Sequence, residues 1–427
     1  MDNIDFSSYL EKYNYRYYKF NRDFYLYNFL NGDLFQINDS AKESFVKSKI
    51  QKTKKVTSSD NEIDSFILNG VPKMPLAEEV TPFHIQWHIN ENCNLRCKHC
   101  YQDKYMHHGL DLDRMKKIVD NYFIAINKWG NSPEFSITGG EPLLNPNLFP
   151  LLDYIKLKDK NTRIAILTNG TLITSEIAKK IKKRGVNLVQ VSLEGSTREL
   201  NDDIRGRGTY DKILRAIKVL KSEKINTSVH IVLSEKNKKD VKNYIELAKK
   251  VGVDMLTFSN LVPFGSGEAM KDLLIAPQEL KALYGLINRE AEKLERLHKK
   301  PVIRRTRTLW CNFDESMCNS KIGGLCPVGL STLTILSDGK VMPCRRMPII
   351  IGDLTYQNFF EIWYGSEVLW KVRDKKKIAK CGKCKFLDKC GGCRGLAYVY
   401  FGDYLAPDPQ CWLINKELGD SHARKSN

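Results

Sequence analysis

The chain has 427 residues, enough for two or three domains that each bury a core. At 42% hydrophobic and 28% charged it is neither disordered nor fibrous, and no run approaches the ~18 apolar residues that cross a bilayer, so a membrane is not an expected partner. The formal charge is +18, but no nucleic-acid-reading motif accompanies it; lysine pairs such as Lys179-Lys180 and Lys249-Lys250 read as solvated helix faces, with steering of an acidic electron carrier or acidic peptide as the functional alternative.

The first residues lack a basic segment followed by an apolar one, so no secretory signal is visible and a cytoplasmic home is expected. Residues 1–80 are aromatic and polar. Asn31-Gly32 marks a turn between two plausible strands, 24–30 and 33–37, which predicts a hairpin closed by a two-residue turn. Asp39-Ser40 would then cap a helix through Lys49, and 51–61 reads as a charged linker.

Residues 82–300 alternate short apolar strands with amphipathic helices, the rhythm of a parallel sheet. Strands are expected at 84–89, 134–138, 163–167, 188–193, 228–233 and 255–259, with helices near 111–128, 146–157, 174–184, 209–223 and 238–251. Six such units suit an α/β fold built as a partial (β/α)6 TIM-type barrel, whose reactive groups belong at the carboxyl ends of the strands. Residues 301–427 change character, with nine cysteines, many glycines and one clear helical stretch at 359–372.

Twelve cysteines need a reason. None falls between Cys100 and Cys311, so they are not scattered core residues, and tight thiol clusters in a reducing compartment point to metal. Cys93, Cys97 and Cys100 follow the first strand directly. Three thiolates leave one iron of an iron–sulfur cubane open to a reactant; the same spacing also fits three-quarters of a zinc site. Thr138-Gly139-Gly140-Glu141-Pro142 ends the second strand. Its glycines let backbone approach a ligand closely, and its carboxylate can accept hydrogen bonds from an ammonium group.

Together these two motifs resemble the radical SAM superfamily. The resemblance implies a partial TIM barrel in which S-adenosylmethionine (SAM) binds the open iron through its amino and carboxylate groups. Gly139, Gly140, Glu141 and Pro142 match the element that binds the SAM amino group. Asn169 closes the third strand. Ser192 and Arg205 would hold ribose and the methionine carboxylate, the plain alternative being a surface pair between Glu194 and Arg205. His99 would lie near adenine, or be an ordinary structural side chain. The run from Val262 to Gly267 would supply backbone near adenine.

The carboxy-terminal cysteines resemble the SPASM domain, which appends auxiliary 4Fe–4S clusters to radical SAM enzymes that modify peptides. Cys326 and Cys344 flank Gly339; Cys381, Cys384, Cys390, Cys393 and Cys411 follow. By that resemblance Cys326, Cys344 and Cys393, with Cys318 favoured over Cys311 as a fourth ligand, would hold one cluster. Cys381, Cys384, Cys390 and Cys411 would hold the other, making three cubanes in all. The chain has two residues between Cys390 and Cys393 where the family usually has three. Structural zinc is the alternative for this region.

The resemblance implies a SAM-cleaving enzyme that abstracts hydrogen from a peptide or protein, maturing a ribosomally made peptide by cross-link or thioether formation. Reduced flavodoxin or ferredoxin would be the electron donor. Sulfatase-type formylglycine formation is the runner-up, because Arg345 follows Cys344 where those enzymes carry an aspartate. Tetrapyrrole side-chain decarboxylation is a third reading, with Arg345 and Arg346 meeting propionates. A non-catalytic iron–sulfur relay would need no ammonium-binding carboxylate. The amino-terminal hairpin resembles winged domains that capture leader peptides by strand addition; ordinary packing is the plain alternative.

Overall fold

A computed structural model describes residues 14–20, 23–37, 82–105, 108–305, 308–313 and 326–414. The helix expected at 39–49, the linker at 51–61 and Cys318 lie outside the described residues. The chain opens with β1 (Tyr15–Phe20), β2 (Asp23–Asn28) and β3 (Leu34–Ile37), an antiparallel sheet in that order. The expected hairpin is β2–β3, but its connection is longer than two residues. Asn28 sits at the turn, its side-chain oxygen accepting from Leu30 N and Asn31 N at 2.9 and 3.1 Å, which spreads the reversal over five positions. The sequence pattern missed β1.

The main body alternates β4 (Pro82–His88), α1 (Leu112–Trp129), β5 (Ser132–Thr138), α2 (Leu148–Lys158), β6 (Arg163–Thr168), α3 (Ser175–Lys183) and β7 (Leu188–Ser192). There follow α4 (Arg198–Arg205), α5 (Thr209–Ser222), β8 (Thr227–Leu233), α6 (Val241–Lys250), β9 (Met255–Asn260), α7 (Pro277–Arg296) and β10 (Val302–Arg304). Side-chain caps start several helices where the sequence offers them: Asp111 for α1, Thr174 for α3 and Thr197 for α4.

Strands β4 to β10 pair in parallel and in sequence order, and no pair closes the ends into a full barrel. Along β4 the residues alternate, with Phe83, Ile85 and Trp87 buried among the helices and His84, Gln86 and His88 half-buried on the other face. That other, concave face is polar. His84 reaches Ser136 Oγ at 2.8 Å and Thr332 Oγ1 at 3.2 Å. Short α4 and long α7 are additions to the sequence expectation.

After α8 (Trp310–Phe313), the carboxy-terminal region lays β11 (Thr332–Ile335) parallel to β4, with Leu333 opposite Ile85. β12 (Lys340–Met342) and β13 (Gly352–Asp353) extend that edge antiparallel, giving ten strands in one sheet. The single helix expected at 359–372 is two, α9 (Phe359–Gly365) and α10 (Glu367–Arg373). Ser366 breaks it, since its extended backbone lets its hydroxyl cap the second helix through Leu369 N. α11 (Arg394–Phe401) is a further helix there. The amino-terminal sheet docks on α9 and α10, with Tyr25 against Trp370, Tyr27 against Tyr364, and Arg16 paired with Glu361 at 3.4 Å. Among the described residues no helix is long and apolar enough to cross a membrane.

Leu333 is fully buried at the β4–β11 junction. Leu333→Ala should therefore cost about 2–5 kcal/mol in denaturant unfolding.

Candidate functional site

The loop leaving β4 is shaped by backbone contacts. Asn90 is buried; its carbonyl accepts from Gly140 N at 2.9 Å and its side-chain amide donates to Glu141 O at 3.1 Å. Glu141 N donates to Asn92 O at 2.7 Å. A methyl group on Gly139 would lie 2.2 Å from Asn90 Oδ1, and one on Gly140 2.3 Å from Glu91 O. The close approach these glycines permit is thus to residues 90–92, the segment that delivers Cys93.

The Glu141 carboxylate is buried and accepts from Thr168 Oγ1 at 2.7 Å, Asn169 N at 2.8 Å and Leu143 N at 3.2 Å. It ties the carboxyl ends of β5 and β6 together. Burial pushes its carboxyl up, and the donors from Asn169, Thr168 and Leu143 offset part of that. Pro142 then starts a short 3-10 turn.

Each of the first three sulfurs meets donors. Leu95 N reaches Cys93 Sγ and Gln102 N reaches Cys100 Sγ, both at 3.4 Å. Asn169 Nδ2 lies 3.9 Å from Cys93 Sγ, and an Arg205 guanidinium nitrogen 3.8 Å from Cys97 Sγ. Amide and guanidinium donors suit thiolate sulfur, the form that binds iron, so the residues present fit a cluster on Cys93, Cys97 and Cys100. Without metal, burial pushes the Cys97 thiol up to about 11.

Arg205, at the end of α4, is held by Glu194. One carboxylate oxygen accepts from two guanidinium nitrogens at 2.9 and 3.3 Å and lies 3.3 Å from His99 Nε2, and the other accepts from Val232 N at 2.8 Å. Glu194 is fully buried and Arg205 nearly so, which overturns the surface-pair alternative. Burial would push the Glu194 carboxyl up, but attraction to His99 and Arg205 outweighs it and holds the group well below its usual range. Ser192 stands half-buried at the end of β7, level with His230 of β8. The 262–267 loop clamps the cysteine loop from the far side. Gly267 N donates to Cys100 O at 3.0 Å and Ser266 Oγ to Gln102 O at 2.8 Å.

The carboxy-terminal cysteines fall into two neighbourhoods. Burial pushes Cys326 up to about 12, with Cys393 and Cys344 adding to it, so those three share one electrostatic neighbourhood. Cys381 feels Cys384, Cys390 feels Cys381, and Cys411 feels Cys390. Gly391 and Gly392 both have positive φ, 68° and 65°. Two consecutive left-handed residues reverse the chain between Cys390 and Cys393, sending them to different neighbourhoods despite the short spacing. Cys311 is buried beside the second group, its thiol donating to Lys389 O at 3.2 Å. None of the eleven described cysteines is in a disulfide. Among the described residues no three His, Cys, Asp or Glu side chains are placed to chelate a single ion.

Several structural residues escaped the sequence reading. Buried Asp408 accepts from Cys393 N at 2.7 Å and Gln410 N at 2.9 Å. Buried Arg394 donates to Tyr404 O at 2.8 Å and Ala406 O at 2.6 Å. Asn237 donates to Glu194 O at 3.1 Å and Val232 O at 2.9 Å. The one signal was position: Asp408 lies three residues before Cys411. Arg345 donates to Tyr101 O at 2.9 Å and lies 5.7 Å from the Phe264 ring, and its Nε is buried without a partner. Burial, with the Arg345 charge beside it, holds the His88 imidazole well below its usual range.

A family model described as the radical SAM superfamily matches residues 87–248, and one described as an iron-sulfur cluster-binding domain, SPASM, matches 326–385. An AdoMet-dependent heme synthase of Methanosarcina barkeri is 30% identical over 348 residues, covering 77% of this chain and 96% of that protein. The chain belongs to the radical SAM superfamily. It binds 4Fe–4S clusters and SAM, and its carboxy-terminal region is a SPASM domain. The mycofactocin maturase MftC of Mycobacterium tuberculosis is 26% identical over 344 residues, covering 77% of this radical SAM chain and 83% of that protein. The fold is shared with Streptococcus suis SuiB bound to S-adenosylmethionine, at a TM-score of 0.64 and 15% identity over 93% of this chain and 99% of that one.

Glu194→Gln leaves Arg205 buried without its counter-charge and should cost about 3–5 kcal/mol in denaturant unfolding. Because the folded carboxyl titrates below its unfolded value of about 4.3, its stabilisation is complete above that pH and is lost as pH falls further. Stability measured from neutral to acid pH should accordingly fall less steeply in Glu194→Gln than in the wild type. Gly140→Ala forces the β4 loop away from β5 and should lower iron incorporation at the first site, read by iron analysis after anaerobic reconstitution.

Proposed function

We propose that this radical SAM enzyme matures a ribosomally made peptide, abstracting hydrogen from a side chain and forming a cross-link or thioether. The observation that carries the reading is the amino-terminal sheet. In the order β1-β2-β3, no strand among the described residues pairs with the outer edge of β3. An extended leader peptide would add there through main-chain hydrogen bonds. Docking of that sheet on α9 and α10 puts the edge on the same body as the cysteine sets. SuiB, whose fold covers 93% of this chain, also has a structure bound to its precursor peptide SuiA, which supports the same reading.

When bound, the cluster on Cys93, Cys97 and Cys100 would deliver an electron to SAM and release the 5′-deoxyadenosyl radical. The chain's own residues do the rest. Glu194 fixes Arg205 for an anionic group of SAM. Asn169 and the backbone at Gly139–Gly140 line the neighbouring strand ends, with Ser192 and His99 across the concave face. Cys326, Cys344 and Cys393 would hold one auxiliary cluster, and Cys381, Cys384, Cys390 and Cys411 the other. Such groups would take up the electron that the substrate radical gives up as the new bond forms and a proton leaves.

A second reading is tetrapyrrole decarboxylation. Arg345 is half-buried with its Nε enclosed, and no carboxylate among the described residues forms an ion pair with it; a propionate would satisfy it. The 30% identity to the heme synthase favours the same reading. One experiment separates the two. Anaerobically reconstituted enzyme, dithionite and SAM are incubated with peptides encoded beside the gene, or with an iron porphyrin bearing propionates. A peptide that loses two hydrogens while 5′-deoxyadenosine accumulates is the expected result, with amide-exchange protection along β3 when it binds. Loss of carbon dioxide from the porphyrin with inert peptides would overturn it.

A further inference from the structure

The positive charge of this chain is not evenly spread. Around the barrel several lysines pair with acids, as in Lys180–Glu176, Lys249–Glu246 and Lys238–Glu279. Residues 371–389 also hold ion pairs, Lys371–Glu367 and Lys377–Asp374, but their cations far outnumber their acids. They hold eight lysines and Arg373 against two acids, Asp374 and Asp388. Lys376, Lys377, Lys380, Lys383, Lys385 and Lys389 are exposed, and they are interleaved with Cys381 and Cys384 and abut Cys390.

The backbone carries these lysines rigidly on the cysteine loop. Two single turns, Lys375–Lys377 and Cys381–Lys383, pack on each other. Gly382 N donates to Ile378 O at 2.7 Å and Cys384 N to Cys381 O at 2.9 Å. A methyl group on Gly382 would meet Lys376 O at 2.1 Å, so the two turns touch backbone to backbone. Lys380, immediately before Cys381, holds φ at 58°, a conformation that L side chains rarely adopt. Lys375 is half-buried; burial pushes its ammonium down, while the charges of Asp388, Cys326 and Cys390 act the other way.

A merely solvated face has no reason to centre on one cysteine group. A protein that must bring its own redox group close to that group, and that is itself acidic, gains both speed and orientation from such a surface. We propose that residues 371–389 form the docking surface for an acidic one-electron carrier protein of the flavodoxin type, seated over Cys381, Cys384 and Cys390. The inference concerns the electron partner and not the substrate. It is tested without substrate, so its failure and the failure of the peptide reading are separate results.

The probe is flavodoxin, titrated into the full-length, cluster-loaded enzyme, with affinity read by calorimetry and iron content measured for every variant. Binding should weaken at least about tenfold between roughly 0.05 and 0.5 M salt, because the Debye length shortens several-fold. K376E/K377E/K385E should weaken it at least about tenfold more than K179E/K182E/K183E, which makes the same charge change on α3. Lysine acetylation footprints of the wild-type complex should show protection confined to 371–389, a readout that needs no variant to fold. Equal losses in the two triple variants, salt-independent binding, protection elsewhere, or equal competition by a polyglutamate of matched charge would each overturn the proposal.

Discussion

Two backbone hydrogen bonds, Gly140 N to Asn90 O at 2.9 Å and Glu141 N to Asn92 O at 2.7 Å, hold the carboxyl ends of β4 and β5 in one frame. The first cysteine loop hangs from that frame. The glycines matter there because a side chain at either position would occupy the space of residues 90–92. Glu141 extends the frame to β6 through Thr168 and Asn169, and Asn169 reaches on toward Cys93. Sulfur positions are therefore set where the loop is tied to the strand ends, since sites held on strands are more precise than sites on loops alone.

Charge is managed by a second layer of the same kind. Glu194 lies at the centre, between His99, Arg205 and the Val232 backbone, so a cation is kept beside Cys97 before any ligand arrives. Preorganised charge of this sort costs no reorganisation when an anionic group binds. The carboxy-terminal half repeats the device with Asp408 under Cys393 and Arg394 across the carbonyls of 404 and 406.

Much of this was legible in the sequence. The six strands of the barrel and five of its helices follow directly from apolar periodicity, because burial against one layer imposes it. The clustering of the cysteines is visible in their spacing, and their division into groups came from the resemblance to the SPASM domain. What escaped was the part that depends on contacts between distant segments. The period-2 pattern of Thr332–Ile335 is overridden by burial on both faces, so nothing local announces that β11 pairs with β4. Buried Asn90, Asn237 and Asp408 look like ordinary loop residues until their partners are in place. The Ser366 break in the last long helical pattern is a side-chain cap competing with helix continuation. The depth of the Glu194–Arg205 pair escaped too, because a salt bridge in sequence carries no label of depth.

Pairing of β11 with β4 also fixes an order of events during synthesis. Strand β4 leaves the ribosome with its outer margin bare and stays so until some 250 further residues have been translated, roughly ten to fifty seconds at ordinary elongation rates. Through that interval a strand with one apolar face, next to the first three cysteines, waits for a neighbour that only the distal part of the gene supplies. A truncated message would leave this margin open permanently, as a template for aggregation.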